Sequence, residues 1–245
     1  MNYKSSTHSI QGRRKYMEDT STIIKNNTYI ISAIFDGHGG KKCSVFFAKN
    51  FNNIFRKLYI KFKDYKLALL KSIEILNKLF LSKNIQDGTT ANIIVVDKKN
   101  KRYYNLNIGD SRSLLGRKTT FRQISKDHKP TTPKERNLIK KNGGFVKDGR
   151  LNGILAMSRS LGDKKLVPNM HNEPDIYEGS TKSVKFFINA SDGLFDVLSN
   201  KQVYDFIAKK LSNRIPIEKI AKSLVRLAYN NDSYDNITIN IITLD

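Results

Sequence analysis

Short apolar runs typical of β-strands are grouped together in this 245-residue chain, instead of alternating one by one with helical runs. The first predicted strand is 28–36, TYIISAIFD, which stops at an Asp-Gly turn. A group of strands separated by turn residues is predicted at 91–97, 102–108, 113–116 and 121–125. Strands that follow one another through short turns pair antiparallel, so this middle section is predicted to be antiparallel sheet. Two later strands are predicted at 185–192 and 236–244.

Longer runs carry apolar residues at helical spacing. The segments 43–62 and 65–81 predict two neighbouring amphipathic helices. Three further helices are predicted from Thr132 to Asn142, after Ser199 and from Pro216. Clustered strands flanked by helices predict an α+β fold, a four-layer α-β-β-α sandwich with two antiparallel sheets stacked face to face and helices outside. We expect a single domain over 1–245, with a short surface flap at about 163–180, where the sequence is polar and contains prolines.

The chain is strongly basic, with 44 Lys and Arg against 22 Asp and Glu and a net charge of +22. Such a charge suits nucleic acid, anionic membranes or acidic proteins. Because Lys and Asn are enriched evenly along the chain, compositional drift is an equally good explanation. We see no nucleic-acid-recognition motif and no apolar segment long enough to span a bilayer. We therefore expect no dedicated nucleic-acid or membrane binding and a monomer.

Cysteine and histidine are scarce, which limits the metal chemistry. The single cysteine, Cys43, lies in an apolar stretch and is predicted to be a small buried side chain in a reducing compartment. No targeting signal is visible, so we expect a cytoplasmic or nuclear protein. The spaced Cys and His ligands of a zinc site are missing, so any metal ion must be held by oxygen atoms.

Four aspartates stand where apolar strands stop or start. Asp36, Asp110 and Asp192 each follow a strand and adjoin a glycine, and Asp235 precedes the last strand. A single Asp-Gly pair after a strand is usually ordinary turn chemistry. Four converging carboxylates would repel one another unless a cation neutralised them, so together they suggest a site for a hard divalent ion.

The motifs around these aspartates resemble the metal-dependent serine/threonine phosphatases of the protein phosphatase 2C type, from about Ser9 to Leu244. The matching segments are, in order, QGRRKYMED, FDGHGG, DGTTA, NIGDSR, KDHKP, NGGFV, RLNGILAMSRSLGD, EPDI, ASDGLFDV and YDNITI. Ten ordered segments along one chain are far more specific than a lone glycine motif.

The resemblance implies a site for two Mg²⁺ or Mn²⁺ ions that share an activated water. Its implied residues are Asp36 as the bridging carboxylate, the Gly37 carbonyl, Asp192 and Asp235, with Glu18 and Asp19 holding metal waters. Asp110, with Asp192, matches a weaker third-metal position that Asp196 supports. Arg14 matches the arginine that clamps the phosphate and His38 the general acid for the leaving serine or threonine oxygen.

The implied activity is hydrolysis of phosphoserine and phosphothreonine in proteins, by direct attack of water. The +22 charge leads us to expect acidic phosphoprotein substrates. Two alternatives stay open from the sequence. One is a binding or scaffold protein that keeps the fold without turnover, and the other is a basic nucleic-acid binder on the same fold.

Overall fold

A computed structural model describes residues 3–244 of the chain. Its strands are β1 (Tyr3–Ile10), β2 (Thr20–Lys25), β3 (Tyr29–Phe35), β4 (Gly37–His38), β5 (Gly88–Thr89), β6 (Ala91–Asp97), β7 (Arg102–Ile108), β8 (Arg112–Gly116), β9 (Phe121–Gln123), β10 (Val146–Lys147), β11 (Arg150–Leu151), β12 (Leu161–Gly162), β13 (Asp175–Ser180), β14 (Phe186–Ala190) and β15 (Ile237–Leu244). Its α-helices are α1 (Lys42–Phe62), α2 (Tyr65–Leu81), α3 (Pro133–Lys141), α4 (Asp192–Phe195), α5 (Asn200–Ser212) and α6 (Ile217–Asn230).

Most of the strands form two five-stranded antiparallel sheets. One sheet has the order β1-β15-β14-β8-β9 and the other has the order β13-β7-β6-β3-β2. Short strands add a small sheet, β12-β5-β4, and the hairpin β10-β11. The two large sheets lie face to face, since Ile30 and Ile94 of one pack with Phe187 and Ile242 of the other.

Helices cover the outer face of each sheet. Helix α1 places Phe47, Phe51 and Phe55 against Ile31 and Phe35 of β3, in a cluster that α2 completes. On the opposite side, α5 and α6 pack on β14 and β15 in a second apolar cluster. Strand β3 is covered on both faces, so all seven of its residues are buried and all but Ser32 are apolar or aromatic. The predicted four-layer α-β-β-α sandwich is confirmed.

The layer between the sheets also contains hydrogen-bonded polar groups. Ser32 Oγ donates to Asn189 Oδ1 at 2.6 Å, and Asn189 Nδ2 donates to the Asn92 carbonyl at 3.0 Å. Asn240 Nδ2 donates to the Ala33 carbonyl at 3.1 Å. Such pairs require one relative placement of the two sheets, because a shifted sheet would leave buried polar atoms unpaired.

Besides the two-residue strands, three longer strands were not predicted from the sequence. Strands β1 and β2 are rich in Ser, Thr and Lys, and they contain too few apolar residues to show a strand pattern in the sequence. Strand β13, Asp175–Ser180, is an edge strand paired with β7. The flap expected at about 163–180 was therefore wrong in its second half, where backbone hydrogen bonds to β7 fix the chain. Within residues 3–244, none of the helices combines the length and apolar character that a membrane span requires.

Candidate active site

The antiparallel register brings the acidic strand ends to one edge of the sandwich. In one sheet, Ala190 at the end of β14 pairs with Ile239 near the start of β15 and with Arg112 at the start of β8. In the other sheet, Thr20 at the start of β2 pairs with Phe35 at the end of β3. The residues that flank these ends therefore meet across the two sheets.

Asp36 lies at the centre of this edge and its backbone is held on both sides. The Asp36 N–H donates to Thr90 Oγ1 at 3.0 Å, and its carbonyl accepts from the Thr90 N–H at 2.8 Å. The next residue, Gly37, passes so close to the Glu18 carbonyl that a Cβ at Gly37 would lie 2.4 Å from that oxygen. Glycine is therefore needed here to bring the loop carrying Glu18 and Asp19 against Asp36.

Arg14 and Asp235 contact each other across the cleft. Arg14 Nη2 lies 2.6 Å from Asp235 Oδ2, and both side chains remain partly exposed. Asp235 Oδ2 is therefore occupied by Arg14, while the exposed Arg14 guanidinium keeps further N–H donors that can meet a phosphate. An ion at Asp235 Oδ2 would compete with Arg14 for that oxygen.

Asn236 fastens the Arg14 loop to the start of β15. Its Nδ2 donates to the Gln11 carbonyl at 2.7 Å and to the Tyr16 carbonyl at 2.9 Å, and its Oδ1 accepts from the Glu18 N–H at 2.8 Å. Asn236 is 4% exposed. One buried side chain thus positions the segment that carries Arg14 and the segment that carries Asp235.

His38 forms a close pair with Asp163. Its Nε2 lies 2.6 Å from Asp163 Oδ2, and its Nδ1 is buried without a hydrogen-bond partner. Ser160 Oγ also donates to Asp163 Oδ2, which fixes the carboxylate. A carboxylate bonded to one ring nitrogen sets the orientation of the imidazole, so Asp163 is a positioning residue for His38.

Asp110 lies deeper, behind Asp192, and contacts a lysine. Lys129 Nζ is 2.5 Å from Asp110 Oδ2 and 3.8 Å from Asp192 Oδ2. Burial, followed by repulsion from Asp110 and Asp196, raises the pKa of Asp192 well above its usual value. The attraction to Asp110 and Asp192 outweighs burial and raises the pKa of Lys129, so its ammonium is charged at neutral pH.

The assigned residues line one cavity of about 460 Å³. Its lining includes Arg14, Glu18, Asp36, Gly37, His38, Asp192 and Asp235. Asp19 and Asp110 do not line the cavity and are buried behind it, being 8% and 1% exposed. Arg150, Ile154 and Lys165 also line the cavity. All residues assigned from the sequence are therefore gathered at one edge of the sandwich.

The electrostatics of the cavity suit a hard divalent cation. Desolvation, with repulsion from Asp19 and Asp192, raises the pKa of Asp36 well above its usual value. Burial also raises the pKa of Asp19 to about 6. Buried Asp19 Oδ2 and Asp110 Oδ1 have no hydrogen-bond partner. Divalent ions would relieve this repulsion and satisfy oxygen ligands, so the donor set fits Mg²⁺ or Mn²⁺.

The carboxylates are not yet arranged as a coordination shell. Over residues 3–244, no three Asp, Glu, His or Cys side chains are spaced to hold an ion as they lie. Two of the acids instead contact basic groups, Asp235 with Arg14 and Asp110 with Lys129. Ion binding therefore requires small movements of side chains whose backbones are already in place.

Sequence reasoning missed three residues of this site: Lys129, Asp163 and Asn236. All three lie in segments that carried the family resemblance, KDHKP, RLNGILAMSRSLGD and YDNITI. Asp163 follows Gly162 just as Asp110 follows Gly109, so the Gly-Asp pattern could have identified it. No pattern in the sequence indicated that Asn236 would bond the Arg14 loop, because its partners are more than 200 residues away.

Comparison with known proteins shows the family to which the chain belongs. The family model described as protein phosphatase 2C matches residues 3–237. A probable protein phosphatase 2C 45 from Oryza sativa subsp. japonica is 36% identical over 244 residues, covering 94% of this chain and 84% of the relative. A probable protein phosphatase 2C 5 from Paramecium tetraurelia is 30% identical over 250 residues, covering 90% and 83%.

Solved structures share the fold. The structure of a C. elegans sex determining protein superposes with a TM-score of 0.92 at 26% identity, covering all of this chain and 65% of that chain. A phosphatase from a pathogenic strain of Toxoplasma gondii gives a TM-score of 0.87 at 22% identity, covering 99% of this chain and 92% of that chain. The second similarity shows the fold alone.

The fold, the family match and the acidic cleft define a phosphoprotein hydrolase of the metal-dependent class. The chain belongs to the protein phosphatase 2C family and is a serine/threonine protein phosphatase. The sequence-based prediction of this family and activity is confirmed, and the scaffold protein without turnover is the weaker alternative.

Proposed function

We propose that this chain hydrolyses phosphoserine and phosphothreonine at the cavity lined by Asp36, Asp192 and Asp235, with two Mg²⁺ or Mn²⁺ ions as cofactors. The observation that carries the proposal is the meeting of these carboxylates with Arg14 and His38 in one cavity. When bound, the ions supply an activated water and neutralise the phosphoryl oxygens.

Each carboxylate has a task that follows from its position. Asp36 directly follows β3 and its backbone is fixed by Thr90, so its carboxylate would be a shared ligand of the ions. Asp192 and Asp235 belong to the other sheet's strand ends and would be further ligands, and the Gly37 carbonyl would add an uncharged one. Glu18 and Asp19 lie on the loop packed against Gly37 and would hold metal-bound waters.

Arg14 and His38 act on the substrate. Arg14 would bind the phosphate, because a guanidinium donates two parallel hydrogen bonds to phosphoryl oxygens. His38 lines the same cavity, is oriented by Asp163, and would donate a proton to the departing serine or threonine oxygen. None of these residues needs to form a covalent bond to phosphorus.

Metal dependence and direct hydrolysis can be tested together. Purified protein is stripped with EDTA and assayed for phosphate release from a phosphothreonine peptide as Mn²⁺ is added back. We expect no turnover without the ion and recovery on its addition. The assay is repeated in buffer that contains added methanol, because a phosphoenzyme would transfer its phosphate to the alcohol as well as to water. Turnover in EDTA, or formation of methyl phosphate, would contradict the proposal.

The role of Arg14 has a matched control in its neighbour. Arg13 carries the same charge but does not line the cavity, since it pairs with Asp232. Arg14→Ala is expected to lower kcat/KM and to weaken competitive inhibition by inorganic phosphate, whereas Arg13→Ala should change the inhibition constant much less. Equal effects of the two variants on the inhibition constant would contradict the assignment of Arg14 to the phosphate site.

Acidic phosphoproteins are the proposed substrates within this activity. Arg150 and Lys165 line the same cavity as the carboxylates and would favour acidic residues beside the phosphorylated one. A monomeric state and a cytoplasmic or nuclear location remain proposals that rest on the sequence, including its single unpaired cysteine, which the structure places in the core.

A further inference from the structure

A lysine lies at the deepest part of the acidic cluster, where the resemblance puts a third metal ion. Lys129 Nζ contacts Asp110 Oδ2 at 2.5 Å and lies 3.8 Å from Asp192 Oδ2. The Asp110 side chain is fully buried and the Lys129 side chain is 32% exposed. Solvent therefore reaches the lysine but not the carboxylate.

The backbone around Lys129 is tied to the backbone around Asp110. The Gly109 N–H donates to His128 Nδ1 at 3.1 Å, and the His128 N–H donates to the Gly109 carbonyl at 3.0 Å. The His128 carbonyl in turn accepts from the Ser158 N–H at 2.8 Å. These reciprocal hydrogen bonds hold the segment with His128 and Lys129 beside the segment with Gly109 and Asp110. The backbone therefore keeps the Lys129 side chain next to Asp110.

The charges around this position call for one cation. Asp110, Asp192 and Asp196 repel one another, and the Lys129 ammonium is attracted to all three. Only one Asp110 oxygen is satisfied by the lysine, and the other, Oδ1, is buried without a partner. A divalent ion that took Asp110 Oδ2 would displace the ammonium, and one that bound at Oδ1 would lie close to the ammonium and be repelled by it.

We propose that Lys129 is a built-in cation of this site, which keeps Asp110 neutralised and competes with a third divalent ion for it. The inference rests on the proposed function, since Asp192 is also assigned to the two-ion centre. The two-ion centre does not use Asp110, whereas a third ion at Asp110 binds against the repulsion of the ammonium or displaces it. The lysine therefore weakens binding at the third position.

The competition is tested by Mn²⁺ titration followed by calorimetry and by electron paramagnetic resonance of the free ion, neither of which depends on turnover. Lys129→Met removes the ammonium, and Lys129→Gln removes its charge but keeps a hydrogen-bond donor for Asp110. Both should tighten the weakest Mn²⁺ site by about tenfold or more, the ratio expected from losing one charge-assisted hydrogen bond. Lys126→Met is the control, because Lys126 is an exposed residue of the same segment.

Stability gives a second measurement on the same proteins. The Mn²⁺-induced rise in Tm should be larger for the two Lys129 variants than for the wild type, because the ion then neutralises an uncompensated Asp110. Adding Asp110→Asn to Lys129→Gln should abolish the gain. If Lys129→Met does not fold, Lys129→Gln decides the question.

The outcomes separate this inference from the proposed function. An unchanged or weakened third site in Lys129→Gln, or an equal gain in Lys126→Met, would overturn the role of Lys129 even if two tighter ions bind normally. Absence of two tight Mn²⁺ sites in the wild type would instead contradict the proposed metal centre. Tightening confined to the third site and to the Lys129 variants supports the inference.

Discussion

Replacing Asn236 with alanine should impair the site without removing any residue that touches the substrate. The substitution deletes three hydrogen bonds, two donated to the Gln11 and Tyr16 carbonyls and one accepted from the Glu18 N–H. All three partners belong to the loop that carries Arg14. That loop would lose its link to the start of β15, and Arg14 would lose its fixed distance from Asp235.

The loss of stability in Asn236→Ala depends on which backbone groups are left without a hydrogen-bond partner. A buried polar group without a partner costs about 1–3 kcal/mol. Gln11 and Tyr16 are exposed residues whose carbonyls can regain water, whereas the Glu18 N–H lies in a half-buried segment. We therefore expect Asn236→Ala to lower the free energy of unfolding by about 1–3 kcal/mol. We also expect kcat/KM to fall by about 10²-fold, because a loosened loop misplaces Arg14.

Two measurements check this prediction. Urea unfolding gives the stability change, and steady-state kinetics with a phosphothreonine peptide give the loss of activity at a temperature where the variant is folded. Asn231→Ala is the matched control, because Asn231 is exposed and its Nδ2 bonds only the Leu227 carbonyl of its own helix. If Asn236→Ala behaves like Asn231→Ala in both assays, the proposed positioning role is wrong.

Three further predictions concern proton donation, stability and charge. His38→Ala should lower turnover of a phosphoserine peptide by about 10² to 10⁴-fold but that of p-nitrophenyl phosphate much less, since its phenolate needs little protonation; equal losses would remove His38 as the general acid. Arg159→Met leaves buried Glu135 without the guanidinium that lies 2.6 Å away, and it should lower the free energy of unfolding measured in urea by about 3–5 kcal/mol. Adding Glu135→Leu should recover most of this loss of stability; no recovery would show that the ion pair is not the cause. Raising salt from about 50 to 200 mM should depress kcat/KM for an acidic phosphopeptide and leave p-nitrophenyl phosphate nearly unchanged, whereas parallel curves would point to compositional drift.

The sequence was most informative where periodicity and burial agree. Strand β3 and helices α1 and α2 were predicted within one or two residues, because strong apolar patterns determine them. Strand β1 was missed because its neighbour β15, and not its own apolar content, holds it in the sheet. Edge strand β13 was also missed, because it is held by its pairing with β7, which precedes it by about 70 residues.

For the site, the sequence identified acids but not their partners. Asp36, Asp110, Asp192 and Asp235 were predicted from strand ends and the family resemblance. The contacts of Arg14 with Asp235 and of His38 with Asp163 join residues 221 and 125 positions apart. Pairing at such separations depends on the relative placement of two sheets, which no local pattern encodes.

The most direct test of the account is the rate of phosphate release by Asp36→Asn at saturating Mn²⁺. The substitution keeps the shape of the side chain and removes the charge proposed to bridge two ions, so the rate should fall by at least about 10³-fold. The metal-free variant should be at least as stable as the wild type, because Asp36 is repelled by Asp19 and Asp192. A folded variant that retains turnover close to the wild type would contradict the assignment of Asp36 as the bridging ligand.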